Sequence, residues 1–145
     1  MTDLIKKLTE VFNTNFVAYY KTHVAHVNIV GRNFYSDHKL LGKIYETLQA
    51  DIDSIAELIR TQADFMPESL GTVIAGSKVD DTDVYGTSDE LLEGVLGDLT
   101  TLIGLYRELE AVAEEAEEDQ ISNFAQDRET AFTKFSWMLR STLEA

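Results

Sequence analysis

All three histidines of the chain fall within sixteen positions, in the stretch KTHVAHVNIVGRNFYSDH that covers residues 21 to 38. His23 and His26 lie three apart, and His38 follows a turn marked by Gly31. A tight antiparallel return there brings His26 and His38 together, and two neutral imidazoles make half of a site for iron or zinc. Further on come Asp53 and Glu57, four apart, so both carboxylates project from one helical face, as a divalent ion held by oxygen ligands requires. They belong to a polar stripe of His38, Gly42, Glu46, Gln49, Asp53, Glu57 and Arg60 that repeats at helical period. The bland reading is that such a carboxylate pair decorates a solvated helix. His23, on an apolar stripe, reads as a hydrogen-bonded packing residue.

Fifteen residues separate His38 from Asp53, roughly 22 Å on a helix rising about 1.5 Å per residue. One ion cannot touch both within one chain. Either the two sets serve separate purposes, or a two-fold partner running antiparallel sets its Asp53 and Glu57 against this chain's His26 and His38. The second arrangement predicts paired sites at a dimer interface.

Helical periodicity supplies the elements that must hold these groups. A first segment, about residues 3 to 29, carries Leu4, Leu8, Val11, Phe12, Phe16, Tyr19, His23, Val27 and Val30 as its apolar stripe, with Thr2 or Asp3 as cap. A second, from about Ser36 to Gln62, presents Leu41, Ile44, Leu48, Ile52, Ile55 and Ile59. Between Ala63 and Gly86 the pattern breaks around the single proline, Pro67, and PESLGTVIA predicts a short helix within this crossover. The third segment opens on a Thr87/Glu90 capping box and runs through Leu92, Val95, Leu99, Leu102, Ile103, Tyr106 and Leu109. After the acidic run AEEAEEDQ, a fourth stripe holds Ile121, Phe124, Arg128, Phe132, Phe135, Met138 and Leu139. An all-α bundle of four helices with a long middle connection fits a ferritin-like arrangement better than an up-and-down one.

The 145 residues are 44% hydrophobic, enough for one domain spanning 1–145. Cysteine is absent, so there are neither disulfides nor thiolate ligands. MTDLIKKLTE lacks the apolar core of a secretion signal and no run is long enough for a bilayer, which predicts a soluble cytoplasmic protein without a membrane partner. Twenty-six acidic against twelve basic residues give a formal charge of −14, a field that repels phosphate backbones and collects cations. Direct DNA binding is disfavoured.

The histidine stretch resembles, without a gap, the K-x-H-x-x-H-W-x-x-x-G-x-x-F-x-x-x-H pattern of the Dps miniferritins, starvation-induced iron-storage proteins. DIDSIAELIR is similar to that family's D-E-x-A-E-R segment, and KFSWML around Trp137 extends the likeness more loosely to the fourth helix. The resemblance implies a ferritin-like four-helix bundle with a short extra helix in the crossover, and a homo-oligomeric hollow shell of twelve subunits. It also implies sites across two-fold dimer interfaces that bind Fe2+, oxidise it with peroxide or oxygen and deliver ferric mineral to the cavity, with zinc or manganese as substitutes. By position, His26 and His38 come from one subunit and Asp53 and Glu57 from its partner. Glu117, Glu118 and Asp119, before the fourth stripe, are candidates for an iron-drawing pore, with a solvated turn as the alternative.

This chain departs from the pattern in ways that bear on activity. Gly42 stands where the family has a ligating aspartate, and Lys39 and Lys43 stand where many relatives carry acids. Less negative charge weakens a second iron. Glu46, one turn on, is an auxiliary donor if its side chain reaches back. Val27 replaces the pattern's tryptophan, losing aromatic packing at the interface and a trap for stray oxidation. Two functions therefore stand side by side: a ferroxidase miniferritin, weakened by Gly42, or a Dps-like shell or scaffold that has lost efficient oxidation.

Overall fold

The Thr2 hydroxyl accepts a hydrogen bond from the Ile5 amide at 3.2 Å and starts the first helix of the computed structural model, which describes residues 2–144. Five helices follow: α1 (Asp3–Asn28), α2 (Phe34–Thr61), α3 (Leu70–Gly76), α4 (Ser88–Glu115) and α5 (Asp119–Leu143). The capping box of α4 forms in full. Thr87 Oγ1 accepts from the Glu90 amide at 3.2 Å, and Glu90 Oε1 accepts from the Thr87 amide at 3.1 Å. Gly31, at φ +133°, takes a backbone conformation that side chains disfavour and lets the chain reverse between α1 and α2.

The four long helices close a bundle, with α1 against α2 and α4, and α4 against α5. The remaining side is pinned by a buried ion pair, in which one nitrogen of the Arg128 guanidinium on α5 reaches both carboxylate oxygens of Asp51 on α2, at 3.1 and 3.2 Å. The short helix α3 lies in the crossover and packs on α1. The chain is therefore an all-α, ferritin-like four-helix bundle with one extra short helix. No helix among the described residues is long and apolar enough to cross a membrane.

Leu8, Phe12, Leu41, Ile44, Leu48, Ile55, Ile59, Leu99, Tyr106 and Phe132 fill the interior. Each such aliphatic or aromatic side chain contributes about 1.5–3 kcal/mol by leaving water. The predicted stripes of the second and third segments are buried as expected, except that Ile52 is half-buried. That of the first is not. Beyond Phe12 the buried line of α1 runs through Asn15, Ala18, Thr22, Ala25 and Ile29, while Val27 and Val30 are 60% and 70% exposed. Polar residues hold two of those core positions with hydrogen bonds: Asn15 Nδ2 donates across to Leu48 O on α2 at 2.9 Å, though its Oδ1 is buried without a partner, and the Thr22 hydroxyl donates to Ala18 O on its own helix at 2.8 Å. Phe16, Tyr19 and His23 are half-buried, and Tyr19 and His23 face Tyr45.

Candidate metal centre

The end of α1 and the start of α2 meet at His26 and His38. Their rings stack with centroids 3.9 Å apart and planes 14° from parallel. The pair is locked reciprocally, since His26 Nδ1 lies 2.7 Å from His38 O and His38 Nδ1 lies 2.7 Å from His26 O. A carbonyl oxygen only accepts, so each Nδ1 carries its proton and donates. In the neutral rings the tautomer is thereby fixed, leaving each Nε2 with a free lone pair, the state a metal-ligating imidazole requires. Phe34 stacks on the outer face of His38 at 4.9 Å, and Tyr45 leans on His26 at 4.9 Å. The turn and the antiparallel return therefore do what the histidine spacing predicts.

His23 is not drawn into the pair. It stacks on Tyr45 at 4.2 Å and 5°, with its Nδ1 3.4 Å from the Tyr19 hydroxyl, and its ring centre is 6.3 Å from that of His26. It packs.

The carboxylates occupy the other end of α2's outward stripe. Asp53 and Glu57 are both exposed, and Asp53, hydrogen-bonded to Glu57 and of like charge, holds the Glu57 carboxyl above its usual range. They flank an open groove of about 420 Å³ with Phe65, Met66 and Pro67 on its wall. The Arg60 guanidinium sits 4.3 Å over the Phe65 ring. Glu46 lies exposed between the two ends of the stripe. Among the described residues, no three groups of His, Asp or Glu converge on one point within a single chain. The imidazole pair and the carboxylate pair are thus two separate clusters, one of nitrogen and one of oxygen groups.

Both clusters have apolar rims. Val27, Val30, Phe34 and Tyr35 stand exposed beside the histidines, as do Phe65 and Met66 beside the carboxylates. Glu117, Glu118 and Asp119 form the link between α4 and α5, with Glu117 at φ +59° and Glu118 as the cap of α5. Glu117 and Asp119 are exposed there, and Glu118 is half-buried beside Thr2 and Gln62.

Sequence reasoning missed Asp51 and Tyr45, and marked Phe34 only as a position of the histidine pattern, without its stack on His38. The signal for Asp51 was Arg128 on an otherwise apolar stripe, because a guanidinium there demands a buried anion. Burial pushes Asp51 up to about 6 even though Arg128 pulls it down. No pattern marked Tyr45, whose role depends on where the imidazoles lie.

Comparison with known proteins agrees with this architecture. The model of the ferritin-like domain family matches residues 5–145. An uncharacterised protein of Haemophilus influenzae is 29% identical over 146 residues, covering 98% of this chain and 89% of that protein. The DNA protection during starvation protein of Brevibacillus brevis is 25% identical over 128 residues, covering 88% and 86%. The crystal structure of the Dps protein of Vibrio cholerae O1, described as a member of a broad superfamily of ferritin-like diiron-carboxylate proteins, superimposes with a TM-score of 0.92. The likeness covers 97% of this chain and 89% of that one at 24% identity. With its histidine pattern, its crossover helix and a family match that takes in nearly every residue, the chain belongs to the ferritin-like family as a miniferritin of the Dps type.

Proposed function

We propose that this protein is an iron-storing and iron-detoxifying miniferritin whose sites form between two subunits. His26 and His38 of one subunit face Asp53 and Glu57 of its two-fold partner, and twelve such subunits enclose a cavity. The observation that carries this reading is the imidazole pair, two rings locked with Nε2 free and with no carboxylate of the same chain beside them. Such a half-site calls for oxygen donors from elsewhere, and the exposed, mutually repelling Asp53/Glu57 pair calls for a cation. The apolar rims around both halves favour their burial against each other.

The chemistry follows from charge. Two neutral imidazoles and two carboxylates neutralise a divalent ion, and the carboxylates favour Fe3+ over Fe2+, so electron loss to peroxide or oxygen is eased. A ferric ion there keeps one uncompensated positive charge. Hydrolysis to mineral in the cavity relieves it. The field of a chain at −14 draws Fe2+ toward the shell, with Glu117, Glu118 and Asp119 as its entry. DNA is then protected by removal of iron and oxidant, since this charge repels phosphate.

Anaerobic Fe2+ loading followed by iron-edge anomalous scattering tests the site, and peroxide-dependent absorbance tests the chemistry. His26→Ala should abolish both signals; normal oxidation in that variant would rule the site out. One observation favours a second reading, a shell or scaffold without efficient oxidation: Gly42 offers no donor, and exposed Lys39 and Lys43 flank it on α2. An interface without iron after loading would support that reading.

A further inference from the structure

A Cβ placed on Gly42 would lie 2.9 Å from His26 Cε1 and 3.2 Å from His26 Nδ1, closer than carbon and a ring atom tolerate. The ring has little room to yield. Its Nδ1 is tied to His38 O at 2.7 Å, its face lies 3.9 Å from the His38 ring, and Tyr45 closes on it at 4.9 Å. The remaining side is the backbone of α2, left open because residue 42 has no side chain. Gly42 is therefore more than a missing ligand. Its emptiness is filled by the imidazole.

We propose that Gly42 is a positioning residue, whose bare backbone is the slot that seats the His26 ring against His38 and aims both Nε2 lone pairs outward together. The consequence for metal binding rests on the inter-subunit reading above. With two imidazoles from one chain and two carboxylates from the other, each site takes one divalent cation, with Co2+ or Zn2+ held more tightly than Mn2+. Restoring an acid at this position does not simply add a donor. Gly42→Asp introduces the same Cβ as Gly42→Ala, so the ring is displaced and the first ion is weakened before a second can be gained.

Crystal structures of the metal-free variants Gly42→Ala and Gly42→Asp, with Co2+ titration of the assembled proteins by visible absorption, test this. Alanine raises intrinsic helix propensity at residue 42, so a folded and assembled Gly42→Ala protein is expected. In both variants the His26 ring should leave its place over α2 and lose its hydrogen bond to His38 O. The parent protein should bind one Co2+ per chain, and both variants should bind it about tenfold or more weakly, as when the support of a metal ligand is lost. An unmoved ring in either variant would overturn the proposal. So would Gly42→Asp taking two Co2+ per chain with the first as tight as in the parent. If the parent binds no Co2+ at all yet the ring moves in both variants, the metal reading fails while the positioning role of Gly42 stands.

Discussion

At the amino-terminal end of α2, His38 and its neighbour His26 are held by two 2.7 Å hydrogen bonds and a 3.9 Å stack, whereas toward the other end Asp53 and Glu57 stand exposed with like charges facing each other. One end is finished within the chain. The other is strained by its own charge and improves only when a cation or a proton arrives. Under the inter-subunit reading proposed above, the contrast teaches how a shared site would be divided: the imidazoles are preorganised within one chain, and the carboxylates keep the driving force for binding.

The largest effect should come from separating the two ends onto different chains. Protein carrying His26→Ala and His38→Ala, and protein carrying Asp53→Asn and Glu57→Gln, should each show no iron oxidation. Co-assembled in equal amounts, they should recover about a quarter of the parent's sites, because half of random two-fold pairs are mixed and each mixed pair rebuilds one site of two. Absence of any recovery in mixed shells would break the division.

Neutralising the carboxylate end alone comes next. Glu57→Gln should lower Co2+ affinity about 10- to 100-fold, yet favour assembly of metal-free protein by removing the repulsion from Asp53. Titration and sedimentation check the two signs. Lower pH should mimic the assembly effect, since Glu57, held above its usual range, takes up its proton more readily than an isolated glutamate.

A buried partner lies close to the carboxylate end. Arg128→Ala strips Asp51 of its guanidinium and should destabilise the fold by about 3 kcal/mol at pH 8. The sign with pH is set by Asp51, raised to about 6 by burial. A raised carboxyl stabilises the fold while protonated and loses that contribution as pH rises from its ordinary value through 6. At pH 5, below the raised value, Asp51 is mostly protonated and tolerates the loss of Arg128, so the damage should shrink there. Chemical denaturation at both pH values measures it, and an equal loss at both would contradict the assignment.

The smallest effect belongs to a residue outside both candidate half-sites, at the start of α4. Thr87→Ala removes one half of the capping box and should cost about 1 kcal/mol without changing Co2+ binding. It calibrates how far stability alone moves the metal measurements.

Much of this molecule was legible in its residues. The three-and-four spacing from Leu41 to Ile59 and from Leu92 to Leu109 placed two helices and their buried faces, and Thr87 with Glu90 marked a helix start, because these are local rules of period and capping. The gapless histidine stretch and the Asp53/Glu57 pair named the candidate donors. The first helix was misread toward its end. Val27 and Val30 look apolar in a list, but Thr22 and Ala25 hold the interior because the helix rotates them inward and Thr22 satisfies itself on its own backbone.

Sequence alone determined which candidate donors exist, their spacing along each helix and the distance that keeps His38 and Asp53 from sharing an ion within one chain, since all three depend only on residue type and helical rise. Tertiary structure decided the rest. That the imidazoles stack, that each Nδ1 donates a hydrogen bond to the other's carbonyl, that Gly42 is the seat of His26 and that Asp51 answers Arg128 are contacts between residues distant along the chain. Such contacts arise from how helices pack, and no local periodicity encodes the ångström-scale fit that turns a list of donors into a half-site.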